Sequence, residues 1–385
     1  MDALYFYAPE LADFDYGLSH PLKMRRLRLA HDLGEACGLF GTGVRRVTPR
    51  PATATELRAA HDARYLEVLA ACESGDLPAG AARHGLGYGD NPVFPGLWTV
   101  ARLIAGASIE AADRVAAGEA RVAMSISGGL HHAMADQASG FCYVNDPVLA
   151  IRRLLDRGLS RVAYVDIDVH HGDGVEAAFW DDDRVLTISV HQDGRTLFPG
   201  TGAATDIGAG RGRGYAVNVP ILPGAGDVVV VEAFEAVVPP FLERFRPEAV
   251  VAQLGVDSFA ADPLARLELT THGFEAMVRR IAALSPRLVA LGGGGYHLGN
   301  VARAWTLAWA IVSGQPVPDT IPERMREPLR REGHRGDRMR DPVRDDLPVA
   351  DAVPWLPGAG RLREAARTTC EYLVREVLPL VRPPS

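Results

Sequence analysis

Residues 161–175 read RVAYVDIDVHHGDGV, and the order of residue types in this stretch decides the architecture. An apolar run, Val162 to Val165, leads into Asp166, Asp168 and His170 at alternate positions, then into glycines and the start of an amphipathic segment. Strand, polar turn and helix in that order form the unit of a parallel sheet covered by helices on both faces. The same unit recurs in both directions along the chain. Strand candidates lie at 3–7, 121–127, 161–166, 185–190, 215–219, 249–253 and 288–291, with helix candidates such as 98–117, 146–156, 227–245, 271–284 and 300–313 between them. Polar or glycine-rich clusters follow several of these strands, where open α/β sheets place their ligands.

The 385 residues show no internal repeat and no linker long enough to separate domains, so they read as one domain with its core at about 3–313. Residues 316–354, rich in Pro, Arg, Asp and Glu, read as a surface excursion, and 361–380 as a closing helix. A hydrophobic content of 47% argues against disorder. With 41 Lys+Arg against 48 Asp+Glu, the net charge of -7 argues against direct binding to nucleic acid by bulk charge. The cysteines Cys37, Cys72, Cys142 and Cys370 are too scattered for a metal knuckle or a disulfide framework. No basic leader precedes an apolar stretch, and no apolar run approaches the roughly 18 residues a spanning helix requires. The expectation is a cytoplasmic protein without membrane contact.

The chemistry gathers after the strands. Residues two apart on an extended strand face the same way, so Asp168 and His170 can grip one metal ion. Carboxylate and imidazole without thiolate suit Zn(II) or Fe(II) in an open catalytic site. Asp257, in VVAQLGVDSFAADP, is the better third ligand because it stands nearer its strand end, whereas Asp262 before Pro263 reads equally as a loop cap. His131 and His132 follow another apolar strand and admit three readings: metal ligands, an acid and base, or core histidines. Asp166 and Asp173 remain as carboxylates able to orient the two imidazoles. A third cluster, LVALGGGGYHLGNVARAW, lacks the spacing of a nucleotide-binding glycine loop. Its Tyr296 either donates a hydroxyl to an oxyanion or simply packs at the turn.

Together GGLHHAMADQASGFCYVND (128–146), YVDIDVHHGDGVE (164–176), TISVHQDG (187–194), LFPGTG (197–202), YAVNVPI (215–221), QLGVDS (253–258) and LGGGGY (291–296) resemble the histone deacetylase superfamily. The likeness is closest to bacterial acetoin-utilisation deacetylases and class I enzymes, and it spans residues 5–310. It implies an arginase/deacetylase-like three-layer α/β fold, with a central eight-stranded parallel sheet flanked by helices, and one catalytic Zn(II) or Fe(II) per chain. By the resemblance, Asp168, His170 and Asp257 are the metal ligands. His132 with Asp173 is the principal base and acid, His131 with Asp166 stabilises charge, and Tyr296 binds the scissile carbonyl. Gly140, Phe141 and Phe198 would wall a tunnel, with Leu264 at its mouth and Gly294 beside the tyrosine. Asp90 would hold substrate backbone at the rim, and Arg26 would line a channel for acetate. A K+ or Na+ site is implied at Asp166, Asp168, His170, Ser189 and Val190, and a second at Phe179, Val185 and Tyr215.

The implied reaction is hydrolysis of the acetamide of N-ε-acetyl-lysine on bacterial proteins such as an acyl-CoA synthetase. One departure is Gln192, Asp193 and Gly194, where class I enzymes usually carry a lysine-containing stretch. The alternatives are an acetylpolyamine amidohydrolase acting on a small acetylated amine, a non-catalytic acetyl-lysine reader and an arginase-like ureohydrolase. The first commonly has an insertion before the HH motif that this chain lacks; the second should have lost a ligand, an imidazole or the tyrosine. The third needs additional metal-bridging residues. The resemblance assigns no oligomeric state.

Overall fold

The computed structural model describes residues 2–87, 89–343 and 358–384. Eight parallel strands form one sheet: β1 (Ala3–Phe6), β2 (Val44–Val47), β3 (Val122–Ser125), β4 (Val162–Asp166), β5 (Val185–Gln192), β6 (Ala216–Ile221), β7 (Ala249–Gln253) and β8 (Leu288–Leu291). Their spatial order is β2-β1-β3-β8-β7-β4-β5-β6. Every residue of β3, β4, β7 and β8 is buried, because helices cover both faces, and so these strands read as continuous apolar runs without alternation.

The helices are α1 (Arg25–Ala36), α2 (Ala54–Leu57), α3 (Ala63–Ala71), α4 (Leu97–Ala116), α5 (Asp146–Asp156), α6 (Asp173–Ala178), α7 (Asp227–Phe245), α8 (Thr271–Leu284), α9 (Leu298–Ser313), α10 (Glu323–Arg331) and α11 (Ala359–Tyr372). Buried clusters lie on both sides of the sheet. The larger includes Phe234, Phe241, Trp305 and Trp309, and the smaller packs Ile151 and Leu154 of α5 against Tyr164 and Val251. Local chemistry starts the helices that follow the polar loops. The Asn145 side chain accepts from Val148 N at the head of α5, and His297 Nδ1 accepts from Asn300 N at the head of α9.

Three readings of the sequence need correction. Strand β2, with sequence VRRV, was not expected; its central arginines are exposed at the sheet edge, so no apolar run announces it. The segment from 316 is more than an excursion, since it contains α10 and buries Ile321, Met325, Leu329 and Met339; its part from 344 to 354 lies outside the described residues. The closing helix starts as α11 at Ala359 and continues through a π turn, Leu373–Val377, into a 3-10 turn, Leu378–Leu380.

Candidate metal and catalytic site

Strand β4 ends at Asp166, so Asp168 and His170 stand on the loop beyond it and do not converge by strand alternation. Two short turns bring them together: Asp168 N donates to Asp166 Oδ1 and His170 N to Asp168 Oδ1, each at 3.0 Å. His170 Nδ1 then lies 3.2 Å from Asp168 Oδ1 and 3.1 Å from Asp257 Oδ2. One ligand atom from each of Asp168, His170 and Asp257 lies within 4.8 Å of the others, and all three residues are buried.

These residues fit a divalent cation. Gln253 Nε2 and Gly294 N donate to Asp168 Oδ2 at 2.6 and 2.7 Å, and Val169 N donates to Asp257 Oδ1 at 3.0 Å. Such outer donors aim the remaining oxygens inward. Burial and the charge of Asp168 raise the proton affinity of the Asp257 carboxyl. Burial opposes charge on His170 as well, but the two carboxylates overcome it and lift the imidazole to about 10. Two carboxylates and an imidazole with no thiolate are a donor set suited to a hard or borderline metal.

Both imidazole pairs expected from the sequence are formed. His131 Nδ1 lies 2.8 Å from Asp166 Oδ2, His132 Nδ1 lies 2.7 Å from Asp173 Oδ1, and the two Nε2 atoms are 3.0 Å apart. Burial lowers His131, but Asp166 and Asp168 outweigh it and hold the imidazole near 9. Burial and the charge on His131 push His132 down to about 4. One ring therefore favours the charged form and the other the neutral form, whose acceptor Nε2 faces the Nε2 of His131.

Tyr296, His131, His132, Asp168, His170, Gly140, Phe141, Gly294 and Arg26 line one cavity. Burial and then the charges of Asp257 and Asp168 hold the Tyr296 phenol well above its ordinary value, so it is a donor. Phe141 meets Tyr296 edge to face, and Phe198 meets His132 in the same way with ring centroids 5.0 Å apart. Gly140 has φ +51, and a Cβ there would meet both His132 and Phe198.

The remaining expectations fall further out. Phe198, Leu264 and Asp90 are not among the residues lining this cavity. Phe198 and the Asp90 carboxylate face solvent, and the Asp90 carbonyl lies 3.1 Å from His20 Nε2. Arg26 is buried and donates to the carbonyls of Gly295 and Gly293 at 2.8 and 2.9 Å, with its Nε unpartnered. Ser189 stands opposite Asp166 in the sheet register, and Val190 follows it. Of the second cation set, the Phe179 and Tyr215 carbonyls accept from Asp182 N and Thr187 N.

Sequence reasoning missed Gln253, although a lone amide in the otherwise apolar AVVAQ was a signal. It also missed Asp146, whose carboxylate accepts from Gly129 N and Leu130 N and so holds the loop that carries the two histidines. His171, beside His170, turns away to Thr201 and Glu176. A roomier groove of about 480 Å³ lies between α7 and α11, lined by Val229, Ala233, Cys370 and Val374 among others, away from this chemistry.

Residues 20–312 match the model of the histone deacetylase domain. Histone deacetylase 8 of Xenopus tropicalis is 42% identical over 301 residues, covering 78% of this chain and 81% of that protein. Histone deacetylase clr6 of Schizosaccharomyces pombe is 40% identical over 321 residues, covering 83% and 78%. An HDAC homologue from Aquifex aeolicus superposes with a TM-score of 0.86 at 31% identity, covering 97% of this chain and all of that one. The structure of an HDAC homologue in complex with SAHA has the same TM-score at 32% identity, with 97% and 99% covered.

Proposed function

The chain belongs to the histone deacetylase family, and from that premise we propose that it hydrolyses the acetamide of N-ε-acetyl-lysine on proteins, releasing acetate. The observation that carries this reading is the meeting of His131 and His132, each paired with a carboxylate, with Asp168 and His170 of the Asp-His-Asp cluster and with Tyr296 around one cavity. Asp168, His170 and Asp257 would hold Zn(II), or Fe(II) in its place. When bound, the ion supplies Lewis acidity, which polarises the acetyl carbonyl and acidifies a water.

The side chains supply the rest. His132, oriented at Nδ1 by Asp173, takes the proton of the attacking water on Nε2 and returns it to the departing lysine amine. His131, paired with Asp166, stays charged and stabilises the negative charge that develops beside it. The Tyr296 hydroxyl donates to the developing oxyanion. Phe141 and Phe198 guide the lysine methylenes, the exposed Asp90 carboxylate binds substrate amides at the rim, and Arg26 lines the way out for acetate. K+ or Na+ is assigned to the carbonyl and hydroxyl groups around Asp166, Asp168, His170, Ser189 and Val190, and to those of Phe179, Val185 and Tyr215.

A bacterial acyl-CoA synthetase is the kind of acetylated protein this reading favours, in the cytoplasm and as a single domain. Among the described residues no helix is long and apolar enough to cross a membrane. The test compares an acetyl-lysine peptide with N-acetylputrescine, each with and without a chelator. Acetate release from the peptide that stops with the chelator and returns with metal is expected. Turnover of the polyamine alone would move the assignment to an acetylpolyamine amidohydrolase, and no turnover of either would end the hydrolase reading.

A further inference from the structure

The turn that carries Tyr296 is pinned at successive backbone groups. Arg26 holds the Gly293 and Gly295 carbonyls, Val256 N donates to Gly294 O at 3.0 Å, and Gly294 N is held by Asp168. These contacts fix the glycines. The residue that bears the phenol is held at its own amide by a different side chain: Tyr296 N donates to Asp262 Oδ2 at 2.7 Å, across 34 residues of sequence.

Asp262 is only 6% exposed, so it is no solvated loop cap. Its other oxygen, Oδ1, accepts from Leu264 N at 3.1 Å, the local turn expected of an aspartate before proline. One carboxylate thus joins two loops, the one after β7 that carries Leu264 and the one after β8 that carries the phenol. Both oxygens accept from backbone N–H groups, a demand that an amide of the same shape cannot meet. An asparagine would offer one acceptor and set its NH2 against the other N–H.

We propose that Asp262 is a positioning residue for catalysis: it fixes the backbone of Tyr296, sets where the phenol hydroxyl points, and couples that direction to the Leu264 loop. The inference rests on the deacetylase reading, because the hydroxyl matters only if an oxyanion forms in front of it. Catalytic donors lose most of their effect when displaced by about 1 Å, so the consequence should appear in kcat, with little change in ground-state binding.

The test is a double-mutant cycle with the metal-loaded protein and an acetyl-lysine peptide, combining Asp262→Asn with Tyr296→Phe. In the wild-type background, Asp262→Asn should lower kcat by about 10- to 100-fold, with KM changed less than about threefold and metal content unchanged. In the Tyr296→Phe background the same substitution should change kcat by less than about twofold, since the donor it positions is gone. Asp262→Ala should follow the same pattern if it folds; the near-isosteric Asn variant decides the matter if it does not. A wild-type kcat in Asp262→Asn, or equal losses in both backgrounds, overturns the positioning role and leaves the deacetylase reading intact. An inactive wild-type protein removes that reading, and the inference with it.

Discussion

A methyl group at position 294 has no room. A Cβ there would clash with Asp257 Oδ2 and stand 2.9 Å from Asp168 Oδ2, so Gly294→Ala must displace a carboxylate of the proposed ligand set. Metal affinity should fall at least about 10- to 100-fold, the range for disturbing groups that orient ligands, as checked by metal analysis after dialysis. Full metal retention would show that the carboxylates can yield without losing their geometry. Tyr296→Phe makes the complementary prediction: metal content intact, KM little changed and kcat lower by roughly 100-fold or more. Near-native turnover there would remove the phenol from the mechanism. Single residues were legible in the sequence where chemistry is dense, as at Asp168, His170 and the two histidine–aspartate pairs. Gln253 and Asp262 were less visible, because their importance lies in which backbone or carboxylate they reach, and those partners are remote in sequence.

Among the elements, the loop from β3 to α5 carries His131 and His132 and depends on a histidine outside the site. His61 Nε2 accepts from Asn145 N at 2.9 Å, so its Nδ1 carries the proton and donates to Met134 O, also at 2.9 Å. Burial pushes His61 from 6.5 down to about 4. Because the folded value lies below the unfolded one, the unfolded chain binds more protons between these values, and stability falls as pH drops from about 6.5 toward about 4. The shift corresponds to roughly 3 kcal/mol in total. Urea unfolding across this range should show the decline in the wild type and a flatter profile in His61→Gln; parallel profiles would refute the assignment. The elements themselves were legible where burial on both faces produces long apolar runs. α5, α7 and α8 have the bounds expected, whereas β2 escaped because an edge strand with exposed arginines carries no such signal.

At the scale of the molecule, the proposed ligands come from the loops beyond β4 and β7, which neighbour each other in the sheet, and the tyrosine from the loop beyond β8. A metal bound there ties loops that the repulsion between Asp168 and Asp257 otherwise strains, so it should stabilise the whole fold. At a free concentration 100 times the dissociation constant, the gain is about 2.7 kcal/mol. Adding Zn(II) to the chelator-treated protein should raise Tm by several degrees, and Asp257→Asn should abolish the shift; an equal rise in that variant would place the ion elsewhere. The strand order has a further consequence for how the chain reaches this state. β3 pairs with β8 through Val122 and Leu288, and β1 lies on the other side of β3. A ribosome must therefore release nearly the whole described sheet before β3 can gain its second neighbour. Until then, an apolar strand keeps one edge of unpaired amides and carbonyls, open to strands of other nascent chains. Pairing this remote makes folding slow, and the catalytic cluster can assemble only after that wait is over.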